Sequence, residues 1–175
     1  GSTGLGFPYG LTRDDALDFD ASNSGWAKIL TDDLRTETGK VFVLSASEVS
    51  LARAEAADRG WTSEDAEALL SDGINKGFEK WGLPTPNTYV DTLTFATGTN
   101  LNIARIATQQ YIASYPNGWF GWANWRRTGY PVLTPTPDAV NDSGEIPRRY
   151  VYGDTENNLT PEAVKVAVDR LPGGD

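Results

Sequence analysis

The segment from residue 62 to residue 82 carries the strongest structural signal in the chain, an apolar stripe with helical spacing. The apolar positions follow the i, i+3, i+4, i+7 pattern over about four turns. They are Ala66, Leu69, Leu70, Gly73, Ile74, Phe78 and Trp81. Thr62 and Ser63 offer a hydroxyl cap, followed by acids in the first turn, and Gly82 and Pro84 end the helix. This amphipathic helix needs an apolar partner.

A helix predicted over residues 41–59 is the expected partner. One of its faces carries Leu44, Glu48, Leu51 and Glu55. Gly60 is typical of a helix end, so only a short turn separates the two helices and they should pack antiparallel. Glycine costs about 1 kcal/mol against alanine inside a helix. We therefore expect Gly73 and Gly77 to serve close packing between the two helices.

Two further helices are predicted downstream as a second pair. The first runs over about residues 99–115 and the second over about 119–127, and Pro116-Asn117-Gly118 breaks the chain between them. A last amphipathic helix over 161–171 begins with Pro161, which suits a first turn. The sequence therefore predicts a mostly α fold with antiparallel helix pairs of tetratricopeptide-repeat type and long irregular loop segments.

The predicted organisation is a single domain over residues 1–175, long enough to bury one core. Residues 1–40 are expected to form a loop region, 41–127 the two helix pairs, and 128–175 an irregular segment with the terminal helix. Two short stretches have a composition compatible with a strand. They are Trp26–Leu30, which is alternatively part of a turn, and Tyr89–Phe95.

The chain has neither histidine nor cysteine, which removes whole classes of chemistry. Disulfides, thiolate zinc sites, cysteine nucleophiles and a Ser-His-Asp triad all require these residues. The commonest general base and the commonest metal ligand are also missing. Any catalysis would depend on carboxylates, lysine, tyrosine or serine, so we expect binding without a cofactor or a metal.

The chain is acidic, with 15 basic and 24 acidic residues and a formal net charge of −9. It would repel a phosphate backbone, so no nucleic-acid partner is expected. No apolar window reaches the roughly 18 residues of a membrane span. No basic segment followed by an apolar run opens the sequence as a signal peptide would. The same charge disfavours acidic polysaccharides as ligands.

Three motifs extend the interpretation beyond helix prediction. The first is SEVSLARAEAADRGW at residues 47–61. The second is IATQQYIASYPNG at 106–118, continued by WANWRRTGYP at 122–131, and the third is IPRRY at 146–150. In order and spacing, these motifs resemble the SusD/RagB-like family over roughly residues 41–175.

That resemblance implies an outer-membrane lipoprotein that faces the exterior and binds oligosaccharides or sometimes peptides. It also implies a partner, the TonB-dependent outer-membrane barrel transporter that family members cap. Family members are several times longer than this chain. The resemblance therefore places the chain in their C-terminal part, with the lipid anchor in a missing N-terminal part.

Aromatic residues of the predicted N-terminal loop are the candidate ligand-binding residues. Tyr9, Phe19 and Trp26 lie among Asp, Asn and Gly residues, with Arg13 close to them in sequence. An aromatic platform with polar neighbours on a loop is suited to sugar recognition. The same residues can instead anchor the loop to the protein. We expect ligand contacts at Tyr9, Arg13, Phe19 and Trp26.

Trp119, Trp122 and Trp125 follow an i, i+3, i+6 pattern in the predicted fourth helix. Such a stripe could stack on sugar C–H surfaces. Tryptophan stripes on helices usually bury their area, so the favoured interpretation is core packing.

Two arginine pairs, Arg126-Arg127 and Arg148-Arg149, could hold a sugar hydroxyl or an acidic ligand. Arginine forks match carboxylates in a bidentate way. A structural clamp on acidic side chains such as Glu48 or Glu55 is therefore the favoured interpretation.

Acidic residues suggest two further kinds of site. Glu48 and Glu55 raise the alternative of glycoside hydrolysis by two carboxylates, but two turns would separate them by about 10 Å along the axis, and ion pairing is the commoner role. Asp18-Phe19-Asp20 begins a run of alternating oxygen ligands like a calcium loop. That run lacks the glycine at the sixth position and the acid at the twelfth, so a solvated acidic loop is favoured.

The residues and the resemblance together predict a binding protein and not an enzyme. Its expected role is to capture an oligosaccharide or similar nutrient at the cell surface and to deliver it to a TonB-dependent transporter. A helical protein-interaction scaffold without a small ligand is the alternative. A carboxylate-based glycoside hydrolase is the third possibility.

Overall fold

The chain is built mainly from α-helices. The computed structural model describes residues 4–27, 30, 32, 35–93, 95, 101–136, 138 and 143–171. Eight helices lie within those residues, together with a single parallel β-bridge between Gly6 and Ala27. The helices are α1 (Arg13–Ser22), α2 (Ala46–Asp58), α3 (Ala66–Lys80), α4 (Asn87–Asp91), α5 (Leu101–Ala113), α6 (Gly118–Thr128), α7 (Asp154–Leu159) and α8 (Pro161–Asp169).

Two antiparallel helix pairs of tetratricopeptide-repeat type form the main helical body, as the sequence predicts. Helix α2 packs along α3, and α5 packs along α6. Helix α5 also contacts α2 and α3, which joins the two pairs. The predicted fold class, mostly α with long irregular segments, is confirmed.

Helix α2 begins later than predicted, at Ala46 instead of residue 41. Its start is a capping box in which Ser45 Oγ accepts the Glu48 N–H at 3.2 Å and the Glu48 carboxylate accepts the Ser45 N–H at 2.8 Å. Val41 and Val43, which precede the cap, are more than four-fifths exposed. The apolar run at 41–44 therefore continues the helical pattern in sequence only.

The cap of α3 also differs from the prediction. Asp65, and not Thr62 or Ser63, is the N-cap residue, and its carboxylate accepts the backbone N–H groups of Glu67 and Ala68 at 3.0 Å each. One carboxylate oxygen satisfies two donors there, and its charge suits the positive end of the helix dipole.

Both α2 and α3 end in the same glycine motif. Gly60 has a φ of +72°, its N–H donates to Ala57 O at 2.9 Å, and the Trp61 N–H donates to Ala56 O at 2.9 Å. This is a Schellman motif, which satisfies carbonyls at the helix end. The end of α3 repeats it around Gly82, with a φ of +67°. The predicted helix end at Gly60 is confirmed.

The core lies where α2, α3 and α5 meet. Its buried members are Leu51, Ala54, Leu70, Ile74 and Ile106. A Cβ atom at Gly73 would lie only 2.7 Å from Leu51 Cγ, and one at Gly77 would lie 3.3 Å from Ser47 Oγ. Ser47 Oγ also donates to the Gly73 carbonyl at 2.7 Å. Both glycines therefore serve close helix packing, as predicted.

Three short helices correct the sequence prediction. Helix α1 lies inside the region predicted as loop. Its start is stabilised by Thr12, whose hydroxyl caps the helix by accepting the Asp15 N–H at 3.2 Å. Helix α4 overlaps the predicted strand Tyr89–Phe95, and the Tyr89 N–H donates to Pro86 O at 2.9 Å. Helix α7 lies in the segment predicted as irregular. In the predicted Trp26–Leu30 strand or turn, Ala27 forms the bridge, and residues 28 and 29 lie outside the described residues.

The chain divides into two compact units. One comprises Gly1–Gly6 and Gly25–Leu133, and the other comprises Phe7–Ser24 and Thr134–Asp175. Whether they fold together as the single domain predicted for residues 1–175 stays a prediction. Among the described helices, none has both the length and the apolar character that crossing a membrane requires.

Candidate ligand-binding residues

Tyr9 presents an exposed ring on an anchored turn. Its hydroxyl donates to Thr134 O at 2.8 Å, while the residue is 68% exposed. The next residue, Gly10, has a φ of +74°, and a Cβ atom there would lie 2.3 Å from Thr136 Cβ. Only glycine fits this position without a shift. The phenol is thus tethered at its polar end, and its apolar ring faces solvent.

Phe19 is a packing residue on α1. It is half-buried, and its ring meets Phe7 edge to face, with centroids 5.0 Å apart and an interplanar angle of 73°. Edge-to-face geometry is a favourable aromatic arrangement. This contact fixes α1 against the segment that leads to Tyr9.

Arg13 is the first residue of α1, directly after the Thr12 cap. Its side chain is exposed, and it makes no hydrogen bond or ion pair with any of the described residues. Two acids follow it in the first turn, Asp14 and Asp15. Its guanidinium therefore keeps donors for a ligand.

Trp26 belongs to the other compact unit. It is half-buried and precedes Ala27, whose N–H donates to Leu5 O at 2.8 Å beside the parallel bridge. Tyr9, Arg13 and Phe19 thus share one unit, whereas Trp26 lies in the other. Ligand contact at these four residues stays a prediction.

The acidic run from Asp18 to Gly25 is not the loop that the sequence predicts. Asp18 and Asp20 lie within α1, where successive side chains are about 100° apart around the axis. A calcium loop needs a backbone that wraps around the ion. Over the part of the chain that the structure describes, no group of three or more acidic, histidine or cysteine side chains is arranged to hold a metal ion.

Glu48 and Glu55, the candidate acids of a hydrolase, have separate structural roles. Glu48 belongs to the capping box of α2. Glu55 is only 6% exposed, and its oxygens accept hydrogen bonds from Arg127 at 2.5 and 2.7 Å, from Gln110 at 2.9 Å and from Arg59 at 2.9 Å. The predicted arginine clamp on Glu55 is therefore correct for Arg127.

The charge state of Glu55 follows from these contacts. Burial by itself would raise its pKa, but hydrogen bonds from Arg127, Gln110 and Arg59 outweigh burial and lower the pKa to about 2. The carboxylate is anionic at neutral pH and both of its oxygens are occupied. A general acid needs a pKa near the working pH, so Glu55 is unsuited to protonate a glycosidic oxygen.

The tryptophan stripe on α6 divides between core and surface. Trp125 is 6% exposed, as the core prediction requires, whereas Trp119 is 65% exposed. Steps of three residues rotate by about 60° around a helix, so an i, i+3, i+6 run spans about 120°. The prediction of a buried stripe is therefore wrong for Trp119. This rotation is the signal that would have found its exposure.

Two of the other paired arginines, Arg126 and Arg149, contact aromatic rings. The Arg126 guanidinium lies 4.5 Å from the centroid of the Trp122 ring, and that of Arg149 lies 5.4 Å from the Tyr152 ring. Arg149 Nη1 also donates to Tyr150 O at 2.9 Å. Cations over aromatic faces are favourable, so these arginines are held in place by stacking.

Comparison with known proteins decides the family. A family model of SusD-like proteins, described as starch-binding and associating with the outer membrane, matches residues 2–153. The chain belongs to the SusD-like family. No curated protein matches it significantly.

Solved structures resemble this SusD-like chain over most of its length. A chitin-binding protein is 31% identical, with a TM-score of 0.54, over 74% of this chain and 30% of its own. A SusD-like protein from Bacteroides thetaiotaomicron VPI-5482 is 28% identical, with a TM-score of 0.60, over 76% of this chain and 34% of its own. A SusD homolog from Bacteroides fragilis NCTC 9343 is 26% identical, with a TM-score of 0.66, over 94% of this chain and 40% of its own. The chain thus spans well under half the length of each.

Proposed function

We propose that this SusD-like chain belongs to a protein that binds an oligosaccharide or similar nutrient on the outer face of the outer membrane. The protein delivers that ligand to a TonB-dependent barrel transporter and is held at the surface by a lipid anchor. The observation that carries the proposal is the match of residues 2–153 to a family described as starch-binding and outer-membrane-associated. The likeness to a chitin-binding protein supports a carbohydrate ligand.

Binding depends on exposed aromatic rings with polar neighbours. The Tyr9 ring is open to solvent while its hydroxyl is fixed by Thr134, so a sugar C–H face can stack on it without further ordering of the side chain. Arg13 offers N–H donors to sugar hydroxyls. Trp26, which is half-buried and lies in the other unit, is a separate candidate contact.

Binding without hydrolysis agrees with the state of the acidic side chains. Glu55, enclosed by arginine and glutamine donors, cannot deliver a proton at neutral pH. Glu48 is committed to the start of α2. Recognition therefore proceeds by stacking and hydrogen bonds, and no cofactor takes part.

Calorimetric titration of the full chain with maltoheptaose and with chitohexaose tests the proposal. Tyr9→Ala should weaken binding roughly tenfold. Tyr150→Ala is a matched control, because Tyr150 is 71% exposed against 68% for Tyr9. Tyr9→Phe keeps the ring but loses the bond to Thr134, and should give an intermediate affinity.

Two outcomes would contradict the proposal. If neither sugar binds, the carbohydrate-binding role fails, and a helical interaction scaffold becomes the better interpretation. If reducing ends appear during incubation with either sugar, the protein is a hydrolase. Delivery is tested separately by co-purification of the protein with the barrel transporter from outer membranes.

A further inference from the structure

Helix α6 carries an exposed tryptophan, Trp119, on the side opposite its packing face, and Trp122 lies next to it at the flank of that face. The packing face contains Gly121, where a Cβ atom would lie 3.1 Å from Ser114 Oγ and 3.3 Å from Tyr111 Cε2. Trp119 lies two residues before Gly121, which places it about 160° away around the helix axis. Its exposed fraction of 65% agrees with that position.

The exposed ring of Trp119 packs against the half-buried ring of Trp122 in a defined arrangement. Trp119 and Trp122 meet edge to face, with centroids 6.1 Å apart and an interplanar angle of 80°. Trp122 is half-buried, and the Arg126 guanidinium stacks 4.5 Å from its ring centroid. The sequence spacing i, i+3, i+7 aligns these three side chains along one side of the helix.

This arrangement suits both the apolar surface and the polar rim of a pyranose ring. A pyranose has an apolar C–H surface that stacks on an indole, and a rim of hydroxyls that needs donors and acceptors. The Trp119 ring supplies an exposed apolar surface already oriented by Trp122. The exposed Arg126, stacked on the Trp122 ring, supplies N–H donors in a planar fork.

We propose that Trp119, Trp122 and Arg126 form a stacking site for a neutral pyranose unit of an oligosaccharide. The proposal rests on the proposed carbohydrate-binding function and adds a site on α6 to the contacts expected at Tyr9. Neutral sugars are favoured because the chain carries a formal net charge of −9, which repels acidic polysaccharides.

Trp61 provides a control within the same protein. It is 74% exposed, against 65% for Trp119, and the Arg59 guanidinium lies 5.4 Å from its ring centroid, so an exposed indole is again accompanied by an arginine. No second aromatic ring contacts Trp61 among the described residues. Trp119 therefore differs from Trp61 in having a second ring, that of Trp122, packed against it.

Titration of the full chain with maltoheptaose and with chitohexaose, followed by calorimetry and by tryptophan fluorescence, tests the site. Trp119→Ala should lose roughly tenfold in affinity for the sugar that binds, and Trp119→Phe should recover part of it. Trp61→Ala should bind within about twofold of the unaltered protein. The sugar-induced change in emission should vanish in Trp119→Ala and persist in Trp61→Ala.

The failure of this site is distinct from the failure of the proposed function. If Trp119→Ala and Trp122→Ala bind sugar normally while Tyr9→Ala does not, the α6 site is wrong and the carbohydrate-binding function stands. If Trp119→Ala binds sugar normally but no longer co-purifies with the barrel transporter, the rings are a protein contact, and the site is again wrong. If the unaltered protein binds neither sugar, both proposals fail together.

Discussion

Arg127 binds both carboxylate oxygens of Glu55, although 72 positions separate the two residues in the chain. The distances are 2.5 Å from Nη1 to Oε1 and 2.7 Å from Nη2 to Oε2. Arg127 Nη2 also donates to Gln110 Oε1 at 3.1 Å, and Gln110 in turn donates to Glu55. The contact therefore ties α2, α5 and α6 together through one enclosed anion.

Glu55→Gln should destabilise the protein by about 2 kcal/mol, because it leaves two arginines without their anionic acceptor while the side chain keeps its size. Urea unfolding followed by circular dichroism measures the change. Glu48→Gln is the matched control. Glutamine also serves in a capping box, so this variant should stay within about 0.5 kcal/mol of the unaltered protein. Equal stability of the two variants would contradict the assigned role of Glu55.

Stability should fall as the pH drops from about 4.5 toward 2. The pKa of Glu55 is about 2 in the folded protein, below its ordinary value of 4.5, so protons bind the unfolded chain more tightly and favour unfolding. The stabilisation from Glu55 is complete above the unfolded value and is lost as the pH passes through the folded one. Urea unfolding across this pH range should show that the free energy of unfolding depends less steeply on pH in Glu55→Gln than in the unaltered protein. An unchanged slope in that variant would exclude Glu55 as the source.

Gly73→Ala should destabilise the protein by about 1–2 kcal/mol. The new methyl group would lie 2.7 Å from Leu51 Cγ, and Leu51 is only 1% exposed, so the buried side chain or the helices must shift to accept it. Gly77→Ala, four residues further along α3, meets only Ser47 Oγ at 3.3 Å. That control should be neutral or slightly stabilising, since alanine is the better helix former. Thermal unfolding of both variants gives the comparison.

Leu51→Ala should cost about 2–5 kcal/mol through the cavity it leaves in the core. If Gly73 and Leu51 are in direct contact, the methyl group of Gly73→Ala should be tolerated better in the Leu51→Ala variant than in the unaltered protein. The double-mutant cycle should then give a favourable coupling of about 1 kcal/mol. Additive effects would mean that the two positions do not touch.

Trp125→Ala should destabilise the protein by about 3–5 kcal/mol, because Trp125 is 6% exposed. Trp119→Ala should cost less than about 1 kcal/mol, because most of its surface is already in water. Urea unfolding of the two variants measures the difference. A large loss in Trp119→Ala would contradict the outward orientation of the first tryptophan of α6.

The helix pairs were predictable from sequence because residues that pack between helices recur with the period of the helix. The apolar stripe through Leu70 and Ile74 meets Leu51 across the interface, and the small residue Gly73 lies at the point of closest approach. Gly60, with its positive φ, ends α2 where the sequence predicts. Local rules and tertiary contacts agree at these positions.

Helix starts were harder to predict because several residues compete for one cap. Thr62, Ser63 and Asp65 all suit an N-cap position, and only the hydrogen bonds in the folded chain select Asp65. Helix α1 has few apolar residues, so periodicity missed it, although Thr12 followed by Asp15 carried a capping signal.

The candidate site was only partly accessible from sequence. The clamp of Arg127 on Glu55 followed from the affinity of arginine forks for carboxylates. The exposure of Trp119 did not follow, because a tryptophan stripe is usually buried and the rotation of the stripe decides which member leaves the core. The ligand contacts at Tyr9 and Trp26 stay a prediction.

The enclosed anion has a consequence for any attempt to isolate part of the protein. A fragment ending after α3 would retain Arg59 but lack Gln110 and Arg127, so Glu55 would keep one of its three side-chain partners. The apolar surface of α2 that faces Ile106 would then be open to water. We therefore expect that an excised α2–α3 hairpin does not fold by itself, and deletion series should find no stable product shorter than α2 through α6.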